Sequence, residues 1–124
     1  MEPSGHEKIQ QRANMNETDF LKLVKERQAK CYALLVKKSG EYSRNNDKLH
    51  NFKMAARMEG KSPEEALRGM WMKHLVSIMD IIDDIEIRGG WPDAFVLAEK
   101  LDDNHNYLHL LEALIVERMS NERT

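Results

Sequence analysis

Residues 62–90 read SPEEALRGMWMKHLVSIMDIIDDIEIRGG, and this stretch decides the fold. Ser62 and Glu65 stand at capping-box spacing, and Pro63 falls at the first helical position, where a missing N–H costs nothing. Gly89-Gly90 supplies the stop. Between these signals Leu67, Met70, Trp71, His74, Leu75, Ile78, Ile81, Ile82 and Ile85 recur at three-to-four spacing, which gathers them on one side of a helix. The spacing predicts a helix to about Arg88 whose apolar stripe needs other helices to cover it.

Working outward, the same period appears on both sides. Asn16 or Thr18 can cap a helix with Phe20, Leu23, Val24, Cys31, Leu34 and Leu35 on one face, expected to end at Ser39-Gly40. A polar connector leads to a shorter helix from about Asp47 to Glu59, carrying Leu49, Phe52 and Ala56 and closed by Gly60. After Gly90, Trp91-Pro92-Asp93 opens a last helix to about Met119, with Leu97, Leu101, Leu108, Leu111 and Ile115 as its core stripe. Tyr107, Leu110 and Leu114 widen that stripe. No stretch alternates with period two, so the expected class is all-α: a bundle of three long helices and one short one. The expected domain is residues 16–119, between a polar arm at 1–15 and a tail at 120–124.

Composition excludes several roles. The chain has 124 residues, 41% of them hydrophobic and 32% charged, which is the balance of one globular domain. Nineteen Lys and Arg against 21 Asp and Glu leave a net charge of −2, against a general nucleic-acid binder. A single cysteine, Cys31, excludes an internal disulfide framework and a Cys-clustered zinc site. Its place on the apolar stripe marks it as core and not as a nucleophile. Apolar runs are too short for a membrane span, and MEPSGHEKIQQRANM lacks the apolar centre of a signal peptide, so a cytoplasmic protein is expected. The near-neutral total conceals segregation. Residues 22–61 carry eleven basic and four acidic side chains, and residues 80–104 carry eight acidic and two basic ones.

The acids are patterned. Lys73, Ser77, Asp80 and Asp84 step by four, three and four along one border of the third helix, and Glu99, Asp103 and Asn106 step by four and three along the last. On antiparallel neighbours, Asp80, Asp84, Glu99 and Asp103 would converge as oxygen ligands for a hard cation such as Mg2+. Spacing alone favours a solvated face, in which Asp84 pairs with Arg88 one turn on. His74 lies inside the apolar stripe, as a buried helix–helix residue or as a catalytic one. His105 and His109 have the four-residue spacing of a zinc pair but lack a complete ligand set nearby. Asn45-Asn46-Asp47 with Asn51 and Phe52 fits a helix cap or the polar and stacking contacts of a nucleobase pocket. No phosphate-binding glycine loop occurs.

Three stretches carry a resemblance. Residues 99–111, EKLDDNHNYLHLL, resemble the acidic motif of the all-α nucleoside triphosphate pyrophosphatase superfamily, the MazG-like and dimeric dUTPase-like proteins, and in particular its small phage and prophage members. Residues 71–80 are similar to the second long helix of those members, and Tyr42 with Asp47, Leu49, Asn51 and Phe52 looks like their substrate-side connector. The resemblance implies Mg2+-dependent cleavage of a nucleotide between its α- and β-phosphates, in phage nucleotide metabolism. It also implies a homo-oligomer, since small members bury too little core alone. Carried onto this chain, Glu99 and Asp103 would be metal ligands with Asp80 and Asp84 opposite. Lys73 would face phosphate with His74 beside it, and Asn106, Tyr107 and Asn51 would shape the nucleotide pocket. One departure stands out. The family's second-helix Glu-x-x-Glu is absent, with Lys73, His74 and Ser77 in its region, and Glu99 to Asp103 is a step of four where the family has three. Such a chain can keep the fold and bind a nucleotide, or a host protein, without cleaving anything.

Overall fold

The computed structural model describes residues 14–42, 47 and 49–122. They form α1 (Glu17–Tyr42), α2 (His50–Glu59), α3 (Pro63–Arg88) and α4 (Ala94–Glu122), with no strand among the described residues. Among the described residues no helix is long and apolar enough to cross a membrane. The expected all-α class with three long helices and one short one is the observed one. The arm before residue 14, Asn45 and Asn46 lie outside the described residues.

Local chemistry sets most boundaries. Ser62 Oγ accepts from the Glu65 N–H at 3.2 Å while the Ser62 N–H donates to Glu65 Oε1 at 3.1 Å, which completes the capping box of α3. Gly60 and Gly89 close α2 and α3 at φ 66° and 67°, a left-handed conformation that glycine adopts without steric cost. The Asp93 carboxylate caps α4, accepting from the N–H groups of Phe95 and Val96 at 2.9 and 3.3 Å. Three boundaries differ from expectation, the simplest being α4, which continues past Met119 to Glu122 and into the expected tail. α1 continues through Ser39-Gly40 to Tyr42, since a lone glycine inside a helix costs only about 1 kcal/mol and the Ser39 hydroxyl is accommodated there by donating to the Val36 carbonyl. α2 begins at His50 and not at Asp47, whose carboxylate instead accepts from the Leu49 N–H at 3.0 Å and from Lys53 Nζ at 3.0 Å.

The chain divides into two compact units inside α1, Met1–Lys30 and Cys31–Thr124. In the first, Asn16 caps the helix through its side chain, accepting from the Asp19 N–H at 2.8 Å. None of residues 14–30 is buried, and Phe20, Leu21 and Leu23 are each more than half exposed. In the second unit α3 packs against both α2 and α4. Glu64 at the start of α3 bonds Arg118 near the end of α4, and Trp71 bonds Asn104 further along, so α3 and α4 run antiparallel. Leu49, Phe52, Leu67 and Leu114 form the buried cluster, with Met70, Trp71, Tyr107, Leu110 and Leu111 packed on it.

Leu111 of the expected α4 stripe, and Tyr107, Leu110 and Leu114 that widen it, do pack in or on the buried cluster, but the inward face is turned from the centre of that stripe. Leu108 and Ile115 are 51% and 40% exposed, whereas Asn106 and Leu114 are buried. On α3 Ile82 is likewise 49% exposed. The packed side of α4 carries Asn104, Tyr107, Leu111 and Leu114: Trp71 of α3 donates to Asn104 and stacks on Tyr107, and His74 lies beside Asp103 and Tyr107.

Candidate functional site

This rotation of α4 creates a cleft of about 440 Å3 between the second half of α1, His74 of α3 and the first half of α4. On α1, Cys31, Leu34 and Lys38 share one helical face at steps of three and four. Cys31 is 3% exposed and its thiol donates to Asp102 Oδ1 at 3.1 Å, which ties this face to α4. Leu34 and Lys38 then line the cleft opposite Glu99, Asp102, Asp103 and Asn106.

Asp103 sits between two nitrogen groups. Lys38 Nζ lies 3.8 Å from its Oδ1, and His74 Nδ1 lies 3.6 Å from its Oδ2. Burial holds the His74 imidazole below its ordinary pKa against the upward pull of Asp103, and Lys73, Lys100 and Lys38 push in the same direction as burial. His74 is therefore neutral near pH 7, leaving Lys38 as the cation beside Asp103.

The imidazole is held from behind. Its ring centroid lies 5.0 Å from that of Tyr107, which stacks on Trp71 at 6.3 Å with planes 5° apart. Trp71 Nε1 donates to Asn104 Oδ1 at 2.9 Å, and Asn104 Nδ2 donates to the carbonyls of His74 and Lys100 at 3.1 and 2.8 Å. Asn104 thus locks α3 to α4 at the level of His74 and uses its amide fully.

Asn106 contrasts with it. The residue is 4% exposed, lines the cleft, and its Oδ1 meets no hydrogen-bond donor among the described residues. A buried acceptor left unpaired costs about 1–3 kcal/mol, so natural cores seldom keep one without a use. At the cleft wall stands Phe95, an aromatic ring 77% exposed.

The structure brings His74, Glu99, Asp103, Asn106 and Tyr107 together around this cleft. It does not bring the remaining candidates to it. Lys73 and Asp80 are exposed on α3, and Asn51 is exposed on α2. Asp84 pairs with Arg88 at 3.0 Å and lines a separate recess beside Trp91 and Asp93 at the α3–α4 turn. Among the described residues no group of three or more His, Cys, Asp or Glu side chains is placed to hold a metal ion, so the four acids do not form one cluster. The reason is rotational. Asp80 and Asp84 lie on a different azimuth of α3 from His74, the residue that faces α4 at the cleft. His105 turns its Nδ1 onto the Leu101 carbonyl at 2.7 Å, an intrahelical contact, and His109 is exposed.

Sequence reasoning missed Asn104 and Phe95, and it placed Lys38 only within the basic segment 22–61. The spacing Cys31–Leu34–Lys38 held a signal, since it places a cation on the same face as two core residues. Compared with known proteins, the chain matches no family model, no curated protein and no solved structure.

Proposed function

We propose that the cleft binds a nucleotide and that the chain is a nucleotide-binding helical module of the MazG-like kind, acting in the cytoplasm of a phage-infected or lysogenic bacterium. The observation that carries this reading is the buried, unpaired Asn106 Oδ1, which calls for an N–H or O–H donor from a ligand. Two neighbours fit the rest of such a ligand. Lys38 offers a cation for a phosphate, and Phe95 offers an exposed ring on which a base can stack. The volume is within the range of small-molecule sites, about 300–1,000 Å3. The order of long, short, long and long helices, with Glu99, Asp103 and Tyr107 on the last, supports the MazG-like assignment.

Charge limits the form of the ligand. Glu99, Asp102 and Asp103 outnumber Lys38 around the cleft, so a bare polyphosphate is repelled. A polyphosphate that arrives with Mg2+ is repelled less, since the cation halves its charge and Mg2+ bound to phosphates can take one or two protein carboxylates as ligands. The residues present do not fit a resident four-carboxylate centre, and no chemical step is assigned to the cation.

Pyrophosphohydrolysis is the second reading. It is favoured by Glu99 and Asp103 lining the same cleft as Lys38. One experiment tests both. Calorimetric titration of the full chain with ATP, dATP, dCTP and dUTP, with and without Mg2+, is expected to show Mg2+-dependent binding that Lys38→Ala weakens at least about tenfold. Pyrophosphate release abolished by Asp103→Asn would support hydrolysis, and binding without release would support the module. Binding of none of these nucleotides would overturn both.

A further inference from the structure

The turn between α3 and α4 exposes apolar surface that the fold does not use. Ile87 and Trp91 flank Gly89-Gly90 and are 79% and 82% exposed. Trp91 forms one wall of a recess of about 310 Å3 whose apolar lining is completed by Ile81, Pro92 and Val96. Two carboxylates stand at the same recess, Asp84 near the end of α3 and Asp93 just before α4. Asp93 caps α4 through Oδ1 alone, so its second oxygen meets no donor among the described residues.

The surroundings select the sign of a partner. Residues 80–93 carry five acidic side chains and one basic one, so a polyanion such as nucleic acid or an anionic lipid surface is repelled and a cation is attracted. The single base in that stretch identifies what the recess accepts. Arg88 lines it, with Nη1 3.0 Å from Asp84 Oδ1. Both side chains stay open to solvent, Arg88 at 77% and Asp84 at 50%. An exposed pair of this kind is weak, and an incoming cation can displace it.

We propose that this recess binds an arginine side chain from a basic segment of a different protein. The methylene stem lies along Ile81, Pro92 and Val96, the guanidinium stacks on the Trp91 indole, and Asp93 and Asp84 accept its N–H groups. Arginine suits the recess better than lysine. Its flat, weakly hydrated cation stacks on an indole and forks onto a carboxylate, whereas an ammonium is a strongly hydrated point charge. A second copy of this chain is accordingly the poorer occupant, since its basic segment, residues 22–61, holds eight lysines to three arginines. Arg88 acts as an internal competitor for Asp84. The recess shares no lining residue with the cleft of Asn106, so its occupancy does not depend on the nucleotide reading.

NMR titration of the full chain with a capped peptide of alternating glycine and arginine tests this, because the two tryptophans report separately. Trp91→Phe assigns their indole N–H resonances. The expected result is a saturable shift of the Trp91 indole, while Trp71, bonded to Asn104 between the helices, stays in place. Trp91→Ala is expected to weaken binding at least about fivefold, and so is replacement of arginine by lysine in the peptide. Asp84→Asn and Asp93→Asn are each expected to weaken it about threefold, and asparagine keeps the α4 cap in the second. Arg88→Ala is expected to tighten it about threefold, a gain that disappears in the Asp84→Asn background. Attraction to a merely acidic surface would give the same gain in both backgrounds. That outcome, equal binding of the two peptides, or no Trp91 shift up to about 5 mM peptide would overturn the proposal. Self-association of the chain alone that Trp91→Ala abolishes would also overturn it, by giving the recess to a second copy.

Discussion

Asn106→Leu separates a residue kept for a ligand from one kept for the fold. Asn106 is 4% exposed and its Oδ1 has no donor among the described residues, so the folded chain bears most of the cost of desolvating that oxygen. Such an acceptor costs about 1–3 kcal/mol, whereas leucine has a similar volume and adds an apolar side chain beside Leu110 in the cleft wall. Allowing for imperfect repacking, the substitution is expected to stabilise the chain by about 1–2 kcal/mol. In a domain of this size each kcal/mol raises the Tm by about 4–8 °C. Thermal and urea unfolding followed by circular dichroism measure the gain, and calorimetry with Mg2+ and ATP measures the accompanying loss of binding. Stability up and binding lost is the expected pair of results. A variant destabilised by more than about 1 kcal/mol would show that the Asn106 amide serves the fold, and the ligand argument would fail with it.

Two further perturbations probe the frame of the cleft. His74 titrates below 6.5 because its burial outweighs the attraction of Asp103; since the folded state then binds the proton less readily than the unfolded state, the stability due to neutral His74 is fully present above pH 6.5 and declines as pH falls toward the folded midpoint. An NMR titration of the imidazole is expected to show this low midpoint, and Asp103→Asn is expected to lower it further, so a midpoint at or above 6.5 would contradict the assigned balance. Leu67, 1% exposed at the centre of the apolar cluster, is expected to lose about 3 kcal/mol on change to alanine by urea unfolding, and a loss below about 1 kcal/mol would show the cluster to be loosely packed.

Much of the fold could be read from local chemistry, because its signals lie within a few residues of each other. Ser62, Pro63 and Glu65 start α3, Gly89 ends it, and Gly60 ends α2, all through hydrogen bonds or backbone angles that one turn of chain decides. The inward face of α4 was not legible in the same way. That helix is apolar over a wide arc, with Leu97, Leu101, Leu108, Leu111 and Ile115 as one group and Tyr107, Leu110 and Leu114 widening it beside Asp103 and Asn106. Periodicity centres the packed face on the first group, but the fold centres it on Tyr107, Leu110, Leu111 and Leu114, with Asn106 buried beside them and Leu108 and Ile115 left exposed.

The candidate site was legible to the extent that it lies on α4. Glu99, Asp103, Asn106 and Tyr107 share a strip whose spacing identifies it. Their partners depend on long-range placement. Lys38 comes from α1, more than sixty residues earlier, and its ionic contact with Asp103 leaves no trace in local spacing. Asp80 and Asp84 failed to join for the opposite reason. Regular spacing guarantees a common strip on α3 but says nothing about whether that strip faces α4, and Asp84 instead pairs with Arg88.

The central claim is that this cleft holds a nucleotide, and NMR mapping of amide shifts during titration of the full chain with Mg2+ and ATP tests it most directly. Saturable shifts are expected, concentrated at Lys38, His74, Phe95, Asn106 and Tyr107 and attenuated in Lys38→Ala. Shifts absent from these residues, or centred on the recess of Lys53, Arg57 and Arg118 between α2 and α4, would contradict it.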